Sequence, residues 1–351
     1  MHYEGLPKKL QPLIRVDWDF VVYDESQRIK QRSSAASRRA RMLRNARRRL
    51  ILSGTPLDKT PIDLWAQMRF ACPGVLGDNW EAFVNHYCET YGYQGYKIKL
   101  RSDQTEAFMK VIEPHCMRIE KKDLGHTPPT IHMIRCQMLG RQRRIYERLE
   151  SEMWAELTPK QRVTTGLKIT QMAKLQQISS GWVIDDDDEI TDLGRAKLRK
   201  VRSLLRKLDG PTVIFCRYKY DIAQMVEAAH EFTDKVGIIY GKVKQVVREK
   251  IQADFQAGKI DVLICQIKTG GVGLDLYKGR YGIIYSSTFS FIDFDQAIAR
   301  LDIIGQTDVV EIFFLIVDNT IDEDIATALT SKRSISDITL SRLKKGKHYE
   351  G

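Results

Sequence analysis

Two acidic residues follow a short apolar run near the start of the chain, in a position suited to phosphate chemistry. The run F-V-V-Y at residues 20–23 consists of strand formers and ends directly in Asp24 and Glu25. The carboxyl end of a strand is where α/β proteins bind ligands. One carboxylate there can hold magnesium, and the next can orient a hydrolytic water beside a γ-phosphate. Taken alone, an acid pair at a strand end is common and is better explained as a structural cap.

A second polar turn follows another buried-strand candidate, Leu50 to Ser53. Its sequence is S-G-T-P at residues 53–56, and it resembles the coupling motif of superfamily-two helicases. The continuation through Leu57, Asp63, Leu64, Trp65, Pro73 and Gly74 resembles Swi/Snf-type ATPases. Residues 117–121, M-R-I-E-K, stand where that family has L-R-R-x-K.

The remaining motifs of that family follow in order. Residues 213–216, V-I-F-C, resemble the fourth motif, and Tyr240-Gly241 with Arg248 and Phe255 resembles the helix after it. T-G-G-V-G-L-D-L at residues 269–276 resembles the fifth motif, and the sixth opens at Gln296 and closes at Gly305-Gln306. A single glycine-rich turn is weak evidence, but the ordered set makes the resemblance specific.

The resemblance implies ATP with magnesium as cofactor and double-stranded DNA as partner. It implies catalytic roles for Asp24, Glu25 and Arg300, with magnesium on Asp24, and coupling roles for Gln27, Ser53, Gly54, Thr55 and Gln296. The implied nucleotide or interlobe residues are Gly270, Gly271, Gly273, Asp275, Gly305 and Gln306. The implied DNA-binding residues are Arg217, Arg248, Lys268 and Thr269.

Two departures from the family pattern predict loss of activity. The 351 residues contain no G-x-G-K-T/S phosphate loop, and the start of the chain leaves no room for one before Asp24. The sixth motif of the family reads Q-x-x-x-R-x-H-R-x-G-Q, but Asp302 and Ile303 replace its histidine and second arginine. Gln27 in place of the usual histidine is a milder change. We therefore expect ATP to bind only if a partner or a missing segment supplies the phosphate loop, and turnover to remain weak.

Charge and cysteine usage narrow the class of protein. The formal net charge is +11, and the first fifty residues carry 13 Lys and Arg against 5 Asp and Glu. This excess suggests a polyanionic partner, although the arginines between residues 38 and 49 could equally form a solvated helix face. The six cysteines form no C-x-x-C pair, which disfavours zinc and disulfide frameworks. No signal core or membrane span is evident, so we expect a cytoplasmic or otherwise intracellular protein.

The elements that must position these residues indicate an α/β fold. We predict strands at residues 212–216, 236–240, 261–265, 281–285 and 309–317, with helices at 219–232, 244–255 and 321–329 between or after them. The expected architecture is an incomplete first RecA-like lobe, a helical insertion and a complete second RecA-like lobe with a parallel sheet. Its predicted boundaries are 1–130 for the partial first lobe, 131–195 for the helical protrusion and linker, 196–340 for the second lobe, and 341–351 for a basic tail.

Three functions remain open from the sequence. The chain is part of a DNA-dependent ATPase whose upstream half-lobe resides on a separate chain, or a catalytically inactive module that grips DNA, or a fragment without stable function. DNA binding that responds to salt but not to nucleotide would distinguish the second from the first.

Overall fold

The computed structural model describes residues 3–43, 45–54, 61–91, 97–117, 119, 121–138, 140–156, 165–185, 187–270, 274–304, 306 and 309–331. The chain divides into two compact units, Met1–Ile119 and Glu120–Gly351. Thr55, Gly271, Gly273, Gly305 and the predicted tail 341–351 lie outside the described residues. Among the helices that are described, none has the length and apolar character needed to cross a bilayer.

The first unit combines short helices with two small sheets. Its elements are α1 (Leu6–Ile14), β1 (Phe20–Tyr23), α2 (Ala35–Ala40), β2 (Arg48–Ile51), α3 (Leu64–Ala71), α4 (Trp80–Tyr87), β3 (Cys88–Tyr91), β4 (Lys97–Leu100) and α5 (Thr105–Ile112). β1 and β2 pair in parallel with Phe20 opposite Arg48, and β3 and β4 form an antiparallel pair. The arginines between residues 38 and 49 do not share one helix face, because α2 gives way to a 3-10 turn at Arg41–Leu43 and β2 begins at Arg48.

One face of the β1–β2 pair is buried and the other is exposed. Tyr23 packs with Leu6, Ile29 and Phe70 in a small core. On the opposite face Phe20, Val22, Leu50 and Leu52 are 41–49% exposed. Parallel sheets are normally covered on both faces, whereas this apolar face is exposed in the described part of the first unit.

The second unit is built around a six-stranded sheet. Its elements are β5 (Thr130–Cys136), α6 (Arg141–Glu156), α7 (Thr165–Ser180), β6 (Trp182–Ile184), β7 (Ile190–Asp192), α8 (Ala196–Leu205), β8 (Thr212–Cys216), α9 (Lys219–His230), β9 (Val236–Ile239), α10 (Gln245–Gln256), β10 (Val262–Gln266), α11 (Ile267–Gly270), β11 (Tyr281–Ile284), α12 (Phe291–Ala299), β12 (Glu311–Val317) and α13 (Ile321–Ser331). The strand order is β5-β12-β11-β8-β10-β9, and every neighbouring pair is parallel. The predicted α/β class is confirmed.

The strand missing from our prediction is β5, which lies in the segment expected to be mainly helical. β5 pairs along its whole length with β12, from Thr130 opposite Glu311 to Cys136 opposite Val317. The large sheet therefore draws on residues well before 196, and the structural division at Glu120 differs from the boundaries predicted at 130 and 196. In the segment T-I-H-M-I-R-C, His132 and Arg135 interrupt the apolar residues, so a search for continuous apolar runs overlooks this strand.

Candidate functional site

The acid pair lies where the sequence predicts, at the carboxyl end of β1. The Asp24 side chain is exposed, its Oδ1 accepts the Glu25 backbone N–H at 2.9 Å, and its carbonyl accepts the Tyr3 hydroxyl at 2.6 Å. Glu25 adopts the left-handed conformation, with φ 52° and ψ 49°. Non-glycine residues in this region are uncommon and concentrate at functional sites. The chain thus bends sharply as it leaves β1.

Glu25 and Ser53 are joined through Gln27, so the acid pair and the coupling turn meet. The Gln27 side-chain amide donates to Glu25 Oε2, and its Oε1 accepts the Ser53 hydroxyl at 2.6 Å. The carboxyl ends of β1 and β2 are tied further by the Ser26 N–H, which donates to Leu52 O at 2.9 Å. We call Glu25, Gln27 and Ser53 the coupling relay.

Gln67 supports this relay from α3, and sequence reasoning missed it. Ser26 Oγ donates to Gln67 Oε1 at 2.7 Å, and Gln67 Nε2 donates to Asp63 O at 2.9 Å. Both Ser26 and Gln67 are fully buried. Gln67 is a polar residue between the apolar residues Trp65, Ala66 and Met68, and this is the signal that could have identified it.

Asp24 fits a magnesium site of the kind used with phosphates. Magnesium retains several waters and needs only one or two protein carboxylates when phosphate oxygens complete its shell. Within the described residues no three His, Cys, Asp or Glu side chains converge as a metal cage. Asp24 would therefore hold the ion together with the phosphates.

The sixth motif contains an ion cluster that the sequence did not predict. Asp302 is 5% exposed, and its carboxylate accepts Lys121 Nζ at 2.5 Å and lies 2.5 Å from His126 Nε2. Lys121 also donates to the Asp302 carbonyl. Asp302, which stands at the position of the family histidine, thus contacts two basic side chains that lie far away in sequence.

The surroundings of Asp302 are fixed by main-chain contacts. Gln306 Oε1 accepts the Ile303 N–H at 2.8 Å, and Gln306 Nε2 donates to Tyr277 O at 2.5 Å. The Arg300 carbonyl accepts the Leu276 N–H at 3.1 Å, which places the fifth and sixth motifs side by side. Asp275 is exposed, and its carbonyl accepts Gln256 Nε2 at 2.6 Å. Gln296 is half-buried on α12, and Gly54 directly follows the coupling relay.

The two arginines predicted to bind DNA are engaged within the protein. The Arg217 guanidinium lies 3.9 Å from the Phe289 ring centroid and donates to Gln176 Oε1 at 2.9 Å. Arg248 donates to the carbonyls of Val243, Gly241 and Tyr240 at 2.8, 3.1 and 3.3 Å. Lys268, by contrast, is exposed at the start of α11, beside Thr269 and Gly270.

A buried carboxylate supports the carboxyl end of β8. Asp221 is fully buried and accepts Trp182 Nε1 at 2.6 Å and Ser286 Oγ at 2.5 Å. Ser286 Oγ in turn accepts the Arg217 N–H at 2.8 Å. Burial raises the pKa of Asp221 from 3.8 to about 6, although the hydrogen bonds from Ser286 and Trp182 oppose the shift. The charged form of Asp221 is therefore less favourable in the folded state than in the unfolded state.

This pKa shift predicts a pH dependence of stability. Between pH 3.8 and about 6 the folded state retains a proton on Asp221 that the unfolded state has lost, so stability falls as the pH rises. We expect the loss to reach up to about 3 kcal/mol. Asp221→Asn should abolish it, so that urea unfolding shows the variant gaining on the wild type between about pH 4 and pH 7. Parallel curves for the two proteins would contradict the prediction.

Comparison with known families assigns both halves of the chain. A model described as the SNF2-related domain matches residues 1–185, more than half of the 351, and one described as the helicase conserved C-terminal domain matches residues 196–302.

Curated relatives and solved structures resemble the chain over nearly its whole length. It is 26% identical to the chromatin structure-remodeling complex subunit snf21 of Schizosaccharomyces pombe, covering 95% of this chain and 30% of that one. It is 26% identical to the putative ATP-dependent helicase/translocase YwqA of Bacillus subtilis (93% and 36%) and 27% identical to the Zorya protein ZorD of Escherichia coli (91% and 31%). The chain thus spans about a third of the length of these relatives. The Sulfolobus solfataricus SWI2/SNF2 ATPase core in complex with dsDNA aligns with a TM-score of 0.48 at 22% identity, covering 97% of this chain and 72% of that one.

The two family models match in the order in which the motifs occur. The SNF2-related model covers the acid pair, and the helicase C-terminal model covers the fourth motif, the fifth motif and Arg300. The chain belongs to the SNF2-related family.

Proposed function

We propose that this chain forms part of an ATP-dependent motor that acts on double-stranded DNA. The observation that carries the proposal is the coupling relay, in which Glu25, Gln27 and Ser53 connect the ends of two parallel strands. Such a relay can transmit the state of a bound phosphate from the acid pair to the coupling turn. The relatives, which include a putative ATP-dependent helicase/translocase, support this function.

Asp24 and Glu25 would act on ATP in different ways. When bound, ATP with magnesium supplies the phosphoryl group and the charge that polarises it. Asp24, exposed at the strand end, would hold the magnesium. Glu25 would orient the attacking water, because Gln27 fixes its carboxylate from one side.

We further propose that the phosphate loop comes from outside these 351 residues, which contain no G-x-G-K-T/S sequence. The source is either another part of the same polypeptide or a separate chain. On this proposal the described residues provide the acid pair, the coupling relay and the second lobe, and ATP binding depends on the added segment.

The second candidate is a catalytically inactive module that binds DNA. Ile303 favours it, because an isoleucine at this position offers no charge to a developing transition state.

Duplex binding at several salt concentrations tests the proposal. We expect the 351-residue chain to bind a labelled DNA duplex with an affinity that falls as the salt concentration rises. The logarithm of the association constant should fall linearly with the logarithm of the salt concentration, with a slope of about −0.9 for each phosphate neutralised. For the motor, addition of a phosphate-loop segment should make the affinity depend on nucleotide, whereas the inactive module should bind DNA alike with and without ATP. Absence of salt-sensitive binding would contradict both candidates.

A further inference from the structure

We propose that Gln266 is a positioning residue that sets the spacing of two basic loops at the edge of the large sheet where DNA would bind. The inference rests on the proposed function and adds to it a residue to which neither the motifs nor the family resemblance gives a role.

Gln266 is the last residue of β10, which lies between β8 and β9. Its Oε1 accepts the Gly241 N–H at 3.2 Å, and its Nε2 donates to the Arg217 carbonyl at 3.2 Å. One side-chain amide thus connects the loop after β8 with the loop after β9.

These bonds lie beyond the end of the β9–β10 ladder. The register between the two strands ends with Cys265 opposite Ile239, and Gly241 lies outside it. The side chain of Gln266 therefore fixes the loop rather than the sheet. Arg248 donates hydrogen bonds to three carbonyls of the same loop. The Tyr240–Lys244 segment is therefore fixed by Gln266 through an N–H and by Arg248 through its carbonyls.

Both loops present exposed lysines. Lys219 begins α9, directly after the Arg217 loop, and Lys242 and Lys244 lie in the loop before α10. Because the guanidinium groups of Arg217 and Arg248 bind protein groups, these lysines and Lys268 are the more available cations for phosphate contacts. Lysines on two loops can contact one phosphate backbone together only if the separation of the loops is fixed, because each loop otherwise loses conformational entropy on binding.

The test compares Gln266→Met with Gln245→Met by DNA binding and amide NMR. Methionine matches glutamine in length but makes neither hydrogen bond. We expect Gln266→Met to weaken duplex binding by about three- to tenfold, which is the worth of about one ordinary hydrogen bond, and to shift the Gly241 amide proton resonance. The salt slope should stay close to that of the wild type, because no lysine is lost. Lys242→Ala with Lys244→Ala should instead reduce the slope by about 2.

Gln245 is the matched control, because it adjoins Lys244 but bonds only to Glu249 on its own helix, at 3.0 Å. Gln245→Met should leave the duplex affinity and the Gly241 amide proton resonance unchanged. Should Gln266→Met fold poorly, Gln266→Asn retains the amide on an arm too short to span both partners, and the same weakening is expected.

Unchanged DNA affinity in a folded Gln266 variant would overturn the inference and leave the proposed function intact. Failure of the wild-type chain to bind DNA at any salt concentration would overturn the proposed function and this inference with it.

Discussion

Arginine in place of Ile303 is expected to raise ATP hydrolysis by well over tenfold wherever ATP is bound to the chain. An arginine finger is worth about 10³–10⁵ in rate, because its guanidinium stabilises charge that develops on the transferring phosphoryl group. Since this interaction forms chiefly in the transition state, ATP affinity should change little. Asp302 should not capture the new side chain, because its carboxylate already binds Lys121 and His126.

The assay mixes the chain with a first-lobe segment that carries the G-x-G-K-T/S loop and measures DNA-stimulated phosphate release. Ile304→Arg is the matched control, because it adds the same charge one residue away at a site that is 51% exposed. It should give no increase. Asp302→His should also do far less than Ile303→Arg, since it removes the carboxylate that holds two basic groups. The 351-residue chain alone should show no DNA-stimulated turnover, and a rate of about 1 per second or more would contradict this.

An unchanged rate for Ile303→Arg, with ATP demonstrably bound, would mean that the alignment of the sixth motif is wrong or that another residue supplies the charge. The second lobe would then be intact in function.

Breaking the buried ion pair between Lys197 and Asp322 by Lys197→Met is expected to destabilise the second unit by about 3–5 kcal/mol. The two side chains are 1% and 3% exposed, and their charged atoms are 2.7 Å apart. Asp322 also accepts Ser179 Oγ at 3.0 Å and the Val317 N–H at 3.1 Å. Lys197→Met leaves this carboxylate buried without its cation, which is the costly outcome.

Urea unfolding of two matched variants separates the charge effect from packing. Lys259→Met removes a surface cation 3.2 Å from Asp254, where the lysine side chain is 71% exposed, and should cost less than about 1 kcal/mol. Lys197→Met combined with Asp322→Leu removes both charges and should be less destabilising than the sum of the single changes. Equal costs for Lys197→Met and Lys259→Met would show that the buried pair contributes no more than a surface pair.

The central strands of the large sheet could be predicted because they are almost entirely buried. β8 is the clearest case, since its residues T-V-I-F-C are all buried and match the predicted range 212–216. Parallel strands covered on both faces read as continuous apolar runs, which sequence reveals directly. β5 escaped because an edge strand alternates in exposure and resembles neither a buried strand nor a helix.

The candidate site was predictable only where its residues are close in sequence or belong to a motif. One strand is followed directly by Asp24, Glu25 and Gln27. The resemblance of the S-G-T-P turn to the family's coupling motif placed Ser53 in the same site. The contacts of Asp302 with Lys121 and His126 join residues more than 170 positions apart, and no local pattern announces such a pair. Likewise, the sequence could not show that the guanidinium groups of Arg217 and Arg248 bind protein groups. Arg217 donates to Gln176 on α7, and Arg248 donates to main-chain carbonyls of its own loop.

The pairing of β5 with β12 has a consequence for how the second unit folds. The two strands meet along seven residues, although about 180 residues separate Thr130 from Glu311. Closing so long a loop is entropically costly, and contacts of this kind slow folding. Because synthesis proceeds from the amino terminus, β5 emerges long before β12, its neighbour in the described sheet. The nascent chain must therefore keep Ile131 and Met133, both exposed even in the folded unit, from pairing elsewhere until β12 is made.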